Sequence, residues 1–398
     1  MAPTASRNTS IVALMAVFGL AICFIIVGAI SVDYQKALNI PNIGDLTFAL
    51  FLTSAIVQLV IGPLLDKFGY KPLAIVGFLV AGASMALLRV ATTVELATIA
   101  CMLLGVGAMC LNTVGNTLIP VVLFEGKDPA RASNFGNAFF GLGLVVTPLL
   151  FSLVNWQSAL EMLTGLFVLG LIAAAGTRFP QVSSGYQFSM AFKVLGKPAV
   201  LVGAAALFCY ISLESSMNTW SKPYMTELLG GADNAQAVSN AGFVLSLFGV
   251  AMMAGRFMTS MIKNLTAIAA RLISVAALIS TATIFVMIKT TSPAVAIGAV
   301  MLTGLVFAPI FPTIIGVTFA KFAPRLYGSI FGIMFSVGLL GATFVPKIVG
   351  NLSAGGTVRQ GLEIVLGIAV ALFVISLFLG MTSGEPETPV EISLKAQR

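Results

Sequence analysis

Polar residues punctuate this chain rather than pervade it. Runs of about 20 apolar residues, each long enough to cross the hydrocarbon core of a bilayer as a helix, recur roughly at 11–32, 45–65, 72–90, 94–120, 132–154, 158–177, 199–221, 238–261, 268–288, 293–319, 327–349 and 360–382. Short loops holding Lys, Arg, Gly and Pro separate them. The pattern predicts an all-α membrane protein with twelve transmembrane helices. The longest loop, "TRFPQVSSGYQFSMAFKVLGKP" (Thr177 to Pro198), falls between spans six and seven and divides the chain near its midpoint. The expected organisation is a six-helix half over 1–180, a linker over 181–198, a second six-helix half over 199–382 and a polar, disordered tail over 383–398. The first apolar run follows a short polar stretch without a small-residue cleavage site, so it is expected to stay as a helix.

Internal repetition supports two related halves. Pro120 answers Pro312, Gly143-x4-Pro148 answers Gly341-x4-Pro346, and Leu160-Glu161 answers Leu362-Glu363, at offsets near half the chain. Prolines inside spans (Pro63, Pro120, Pro148, Pro309, Pro312, Pro346) are expected to kink them.

Composition sharpens the class. The 398 residues are 58% hydrophobic and 9% charged, with a mean hydropathy of +1.04, far from the balance of soluble domains. The net charge of +7 reflects topology. Six basic residues, Lys36, Arg89, Lys222, Lys289, Lys347 and Arg359, fall in loops on one side, and the other 15 of the 21, Arg256 among them, fall on the side of the termini. The positive-inside rule then puts both termini in the cytoplasm of a multi-pass inner-membrane protein. No basic run interleaved with aromatics points to nucleic acid. Cys23, Cys101, Cys110 and Cys209 sit within apolar runs without ligand spacing and read as small core residues. Histidine is absent, which removes the usual triad base and the commonest zinc ligand. No metal, cofactor or enzymatic constellation is expected, and any proton chemistry must use carboxylates.

One carboxylate stands out. Glu214, in "FCYISLESSMNTW", is the acid placed clearly inside a span, where insertion costs about 3 kcal/mol. On its helix Asn218 at i+4 and Tyr210 at i−4 share its face, a stripe of acceptors, donors and an aromatic ring suited to sugar hydroxyls. No Lys or Arg is placed at the same depth, so Glu214 reads as functional rather than as half of a structural ion pair. Asn112 and Asn116 in span four, Asn137 in span five and Gln58 in span two are further cavity candidates, and Trp220 is one through its nearness to Glu214. Asn134 reads as structural. Asp33, at an outer interface, joins Glu214 as a proton-coupling candidate.

The most specific local signal is "GPLLDKFGYKPL" (Gly62 to Leu73), whose Gly62, Asp66, Gly69 and Lys71 form a G-x-L-x-D-x-x-G-x-K pattern. It resembles the hallmark loop of the major facilitator superfamily. The resemblance implies a cytoplasmic gate, completed by Arg131 at the start of span five. The equivalent second-half stretch, "GRFMTSMIKN" (Gly255 to Asn264), is a degenerate copy. "GAMCLNTVGNTLIP", "RASNFGNAFFGLGLVVTPLL", "FAPIFPTIIG" and "YGSIFGIMFSVGLLGATFVP" are similar to spans four, five, ten and eleven of the fucose permease-like branch, in which many sugar transporters place a glutamate where Glu214 stands. Two departures accompany the likeness. Asn112 occupies the position of that branch's fourth-helix glutamate, and Gly28, five residues before Asp33, occupies that of its first-helix aspartate.

The resemblance implies two pseudo-symmetric six-helix bundles moving a small sugar or polyol by alternating access, with a proton or sodium as possible coupling ion. Membrane lipid is then the other partner, and the expected state is a monomer. Efflux of amphipathic compounds, or uptake of another small metabolite, is the alternative on the same fold.

Overall fold

The computed structural model describes residues 7–30, 34, 37–38, 44–180, 195–231, 233–353 and 357–381. Among them thirteen long helices follow one another: α1 (Arg7–Ala29), α2 (Gly44–Phe68), α3 (Tyr70–Val90), α4 (Val94–Val122), α5 (Pro129–Leu153), α6 (Trp156–Gly176), α7 (Pro198–Leu228), α8 (Ala235–Ser260), α9 (Leu265–Lys289), α10 (Pro293–Phe307), α11 (Ile310–Phe319), α12 (Tyr327–Ser353) and α13 (Val358–Leu379). Eleven stretches are long and apolar enough to cross a membrane, with α10 and α11 counting as one. The 25-residue α5 completes the twelve crossings read from the sequence. Parts of the expected linker and the whole expected tail lie outside the described residues, as does Asp33.

The tenth crossing is broken where the sequence places its prolines. Pro309 caps α11 in helical geometry, and neither Pro309 nor Pro312 can donate to the residue four before it, so the carbonyls of Leu305 and Ala308 lose their helical partners. The break sits at mid-depth. Its consequence appears at the site.

Two bundles follow from the packing. Helix α1 packs on α4 and α5, α3 on α4 and α6, and α2 on α4; in the second bundle α7 packs on α12 and α13, α8 on α10, and α9 on α10 and α13. Glycines let these backbones approach closely, and they do so at matching places. A Cβ on Gly143 would stand 2.9 Å from the Phe18 carbonyl oxygen, and one on Gly341 would stand 2.7 Å from that of Phe208. Likewise a Cβ on Gly105 would meet Leu50 O at 2.7 Å and one on Gly304 would meet Phe248 O at 2.6 Å. The repetition inferred from Gly143 and Gly341 is thus a repetition of contacts. The four cysteines are buried free thiols, packed as core residues.

The bundles meet mainly along α2 with α12, and along α5 with α8 and α11. The hydrogen bonds that join them gather toward the ends carrying the basic loops, here termed the basic face. Asp66 accepts from Gly328 N at 2.9 Å, from Ser329 N at 2.6 Å and from the Ser329 hydroxyl. It thereby caps the first turn of α12, where the helix dipole favours a negative charge. Gly62 makes that seam possible, because a Cβ there would fall 2.3 Å from the Gly328 carbonyl oxygen. Gly69 takes the positive φ of 82° that ends α2, and Lys71 is exposed beside it.

Candidate functional site

Glu214 lies sixteen residues into α7, about 24 Å along the helix, and it faces a cation. Its Oε1 accepts from Arg256 Nη2 at 3.4 Å; the arginine side chain is 2% exposed and the glutamate side chain 19%. The expectation that no basic residue shares the depth of Glu214 is therefore wrong, as is the assignment of Arg256 to a basic loop. Arg256 stands four residues before the end of α8, and its long side chain runs inward instead of toward the near loop.

Beyond α8 and Glu214, helix α5 and the break between α10 and α11 hold its guanidinium. Nε donates to Ala308 O at 3.4 Å and Nη1 donates to Asn137 O at 3.3 Å. Its plane also lies 5.6 Å from the ring centre of Phe140 on α5. Ala308 is the residue whose carbonyl Pro312 frees, so the kink supplies an acceptor at the depth where the charge needs one. A parallel arrangement serves α12. Pro346 frees Ala342 O, which accepts from the Ser215 hydroxyl at 3.4 Å.

In the first bundle the amides form a chain. Asn116 Nδ2 donates to Asn112 Oδ1 at 2.9 Å, and Asn137 Nδ2 donates to Asn116 Oδ1 at 2.9 Å. The Asn137 backbone carbonyl then receives Arg256, so polar contacts run from Asn112 through Asn116, Asn137 and Arg256 to Glu214, crossing from α4 to α7. Asn112, Asn116 and Asn137 are all buried. Asn112 Nδ2, Ser133 Oγ and Ser336 Oγ are buried polar atoms with no hydrogen-bond partner among the described residues.

The opening onto this chain is seen on α7. Asn218 is exposed and Glu214 partly so, yet Leu207, Tyr210, Ser221 and Met225 on the same helical stripe are buried. The stripe is thus buried at both ends and open between them, at Glu214 and Asn218. The Tyr210 ring packs against Phe307 and Phe311, with centroids 5.9 and 6.2 Å away.

Two candidates are occupied elsewhere. Gln58 is fully buried and donates to the Thr113 hydroxyl at 3.0 Å, and Trp220 Nε1 donates to Pro346 O at 3.0 Å, which ties each to a helix contact. Asn134, read as structural, donates to the Thr313 hydroxyl at 2.9 Å across the bundles. Arg131 donates from Nε to Ser260 O at 2.8 Å. At this site the residue that sequence reasoning missed is Arg256; the signal available was Pro312, four residues after Ala308.

The comparisons agree with this architecture. The model of the Major Facilitator Superfamily matches residues 9–346. Proteins named TsgA homolog from Yersinia pestis (strain Pestoides F) and from Yersinia enterocolitica serotype O:8 are 21% and 22% identical over 368 residues, 89% of this chain and 91% of theirs. The crystal structure of the transporter FucP in the outward conformation superposes with a TM-score of 0.79 at 17% identity, covering 94% of this chain and 99% of that one. A single-substitution variant of the E. coli fucose:proton symporter FucP gives 0.77 at 19%, covering 94% and 98%. The human organic anion transporter MFSD10 gives 0.71 at 14%, covering 93% and 99%.

Proposed function

Because the chain belongs to the major facilitator superfamily and is an integral membrane transporter of fucose permease-like fold, we propose that it carries a small neutral sugar or polyol across the cytoplasmic membrane by alternating access. The basic face is then cytoplasmic, with both termini on that side, and the working unit is a monomer. The observation that carries the reading is the polar chain from Asn112 to Glu214, which joins both bundles at mid-depth and ends at the partly open Glu214 and Asn218. Amides and a carboxylate offer the mixed donors and acceptors that hydroxyl groups need. Arg256 offsets the charge of Glu214, so the site favours an uncharged cargo.

Glu214 also serves as the proton carrier in this reading. Protonation would release Arg256 from it, and the Ala308 and Asn137 carbonyls would keep the guanidinium satisfied meanwhile. Asp33 stays a second candidate for coupling, at an outer position beyond the described residues. Asn112 in place of a glutamate leaves the first bundle's share of the site neutral, so sodium coupling and uniport are kept as outcomes of the test.

The test is uptake of labelled fucose, galactose, glucose and mannose into proteoliposomes, with and without an inward proton gradient, for the wild type and Glu214→Gln. Concentration of one sugar only with the gradient, lost in E214Q, supports symport through Glu214. Equilibration that ignores the gradient means uniport or another ion, and unchanged uptake by E214Q removes Glu214 from the site. A second reading, movement of amphipathic compounds, is favoured by the aromatic rings around Tyr210: Phe307, Phe311 and, beyond Phe311 at 5.9 Å, Phe335. Dye extrusion without sugar uptake would select it.

A further inference from the structure

Arg271 is a charge on a face that otherwise suits hydrocarbon. In α9 the exposed residues Ile268, Arg271, Val275, Leu278, Ala282 and Phe285 recur at intervals of three and four, while Ala269, Ile273, Ala276 and Ser280 on the other side are buried. From Ile268 to Phe285 the exposed stripe runs about 25 Å, close to the thickness of a bilayer's hydrocarbon core. Ile268 lies on the basic-face side of Arg271. The arginine therefore stands inside the apolar band, about 4.5 Å from its edge.

Nothing described in the protein answers this charge. Among the described residues Arg271 makes no hydrogen bond, ion pair or ring contact. Asp128 reaches the start of α9, but its oxygens are taken: Oδ2 accepts from Leu265 N at 2.8 Å, and Oδ1 accepts from Thr266 N at 3.0 Å and from the Thr266 hydroxyl at 2.7 Å. The first bundle does without a cation at this place. Buried Ala74, Phe78, Ala81 and Met85 of α3 fall in register with buried Ala269, Ile273, Ala276 and Ser280 of α9 at a constant offset of 195 residues, and the same offset sets exposed Val76 against Arg271. An apolar residue thus satisfies the fold there, so the charge on α9 answers to something other than packing.

The surroundings favour an anion with apolar chains. A Cβ on Gly380 would stand 3.2 Å from the Cβ of Ala270, and the Ser376 hydroxyl donates to that of Ser274 at 2.9 Å, so Arg271 borders the α9–α13 seam where α13 ends. Lys321 marks the same end, its Nζ donating to Leu379 O at 2.6 Å, and Leu377, Phe378 and Met381 are exposed there. Side chains on a helix lean toward its N-terminus, which for α9 is the basic face. The guanidinium of Arg271 can thus reach the headgroup level while its stem stays in the apolar band.

We propose that Arg271 binds the phosphate of an anionic phospholipid in the leaflet at the basic face, with the acyl chains lying on the exposed apolar residues of α9 and α13. A guanidinium matches a phosphate with two parallel hydrogen bonds, and Lys321 adds positive potential that selects a lipid of net negative charge. The inference requires only that the chain spans a membrane and holds whatever the cargo is.

The experiment titrates phosphatidylglycerol, and separately phosphatidylcholine with the same acyl chains, into the purified full-length protein in a neutral detergent, following the melting temperature. Phosphatidylglycerol should raise it at lower concentration than phosphatidylcholine does. In Arg271→Leu the half-saturating concentration of phosphatidylglycerol should rise roughly fivefold, the worth of one basic residue at an anionic surface, with Arg271→Lys between this variant and the wild type. Lys289→Leu, an exposed cation at the other end of α9, should leave it unchanged. Equal responses of the wild type to the two lipids overturn the proposal, and that comparison needs no variant. So does an unchanged response in R271L, or a loss in K289L as large as in R271L, which would mean that overall charge and no site draws the lipid.

Discussion

Pro312 and Arg256 meet at a single carbonyl: the proline cannot donate to Ala308 O four residues before it, and Arg256 Nε donates there at 3.4 Å. Pro312→Ala should restore the helical donor and compete with the arginine. A proline inside a helix disfavours it by about 3 kcal/mol relative to alanine, so P312A is expected to melt at the same temperature or higher while transport slows. A scan of melting temperature beside uptake rate checks this, and a variant that is both less stable and slower would show that the kink serves packing alone.

The Glu214–Arg256 pair gives a second expectation. Removing one partner leaves a buried charge uncompensated, a loss of about 3–5 kcal/mol, while removing both is far milder. Glu214→Gln and Arg256→Gln should each lower the melting temperature markedly, and the double variant by less than the sum of the two. Additive shifts would mean that the 3.4 Å contact carries no energy.

The helices were legible in the sequence because a 20-residue apolar run has one cheap solution in lipid, and the role of Asp66 was legible only through the resemblance of its loop to a known one, since its partners lie 262 and 263 residues away. Arg256 was not. Counting basic residues by loop assumes that a long side chain near a helix end turns toward the nearer water, and here it runs inward to Glu214 and to carbonyls of α5 and of the α10–α11 break. Asp128 was missed for another reason: its partners are backbone N–H groups 137 and 138 residues away, which no local pattern encodes and to which no resemblance pointed. The asparagines were legible as candidates, but their linkage required the rotation of α4 against α5.

The α2–α12 seam depends on glycine. A Cβ on Gly62 would stand 2.3 Å from the Gly328 carbonyl oxygen and one on Gly328 would stand 2.5 Å from Gly62 O, so the helices must part to admit either. Gly62→Ala is expected to lengthen the Asp66 bonds to α12 and cut uptake at least tenfold, and a polar maleimide should label Thr313→Cys, a fully buried position that bonds across the seam to Asn134, faster. Normal uptake and slow labelling in G62A would mean that the seam can relax around a methyl group.

Asn116 is the middle of the amide chain, donating to Asn112 Oδ1 and accepting from Asn137 Nδ2, both at 2.9 Å. Asn116→Ala would leave the buried Asn112 Oδ1 without this partner, a penalty of about 1–3 kcal/mol, while the Asn137 amide would keep only its bond to Ser133 O at 3.0 Å. Asn116→Gln keeps the chemistry but lengthens the reach in a helix packed on both sides. If the chain binds the cargo, N116A should raise the half-saturating concentration about tenfold or more, beyond what its fall in melting temperature explains, and saturating sugar should protect the wild type against heat more than it protects N116A. Equal protection of both would make the chain a structural link between α4 and α5, and the binding groups would then be sought on α7, at Glu214 and Asn218.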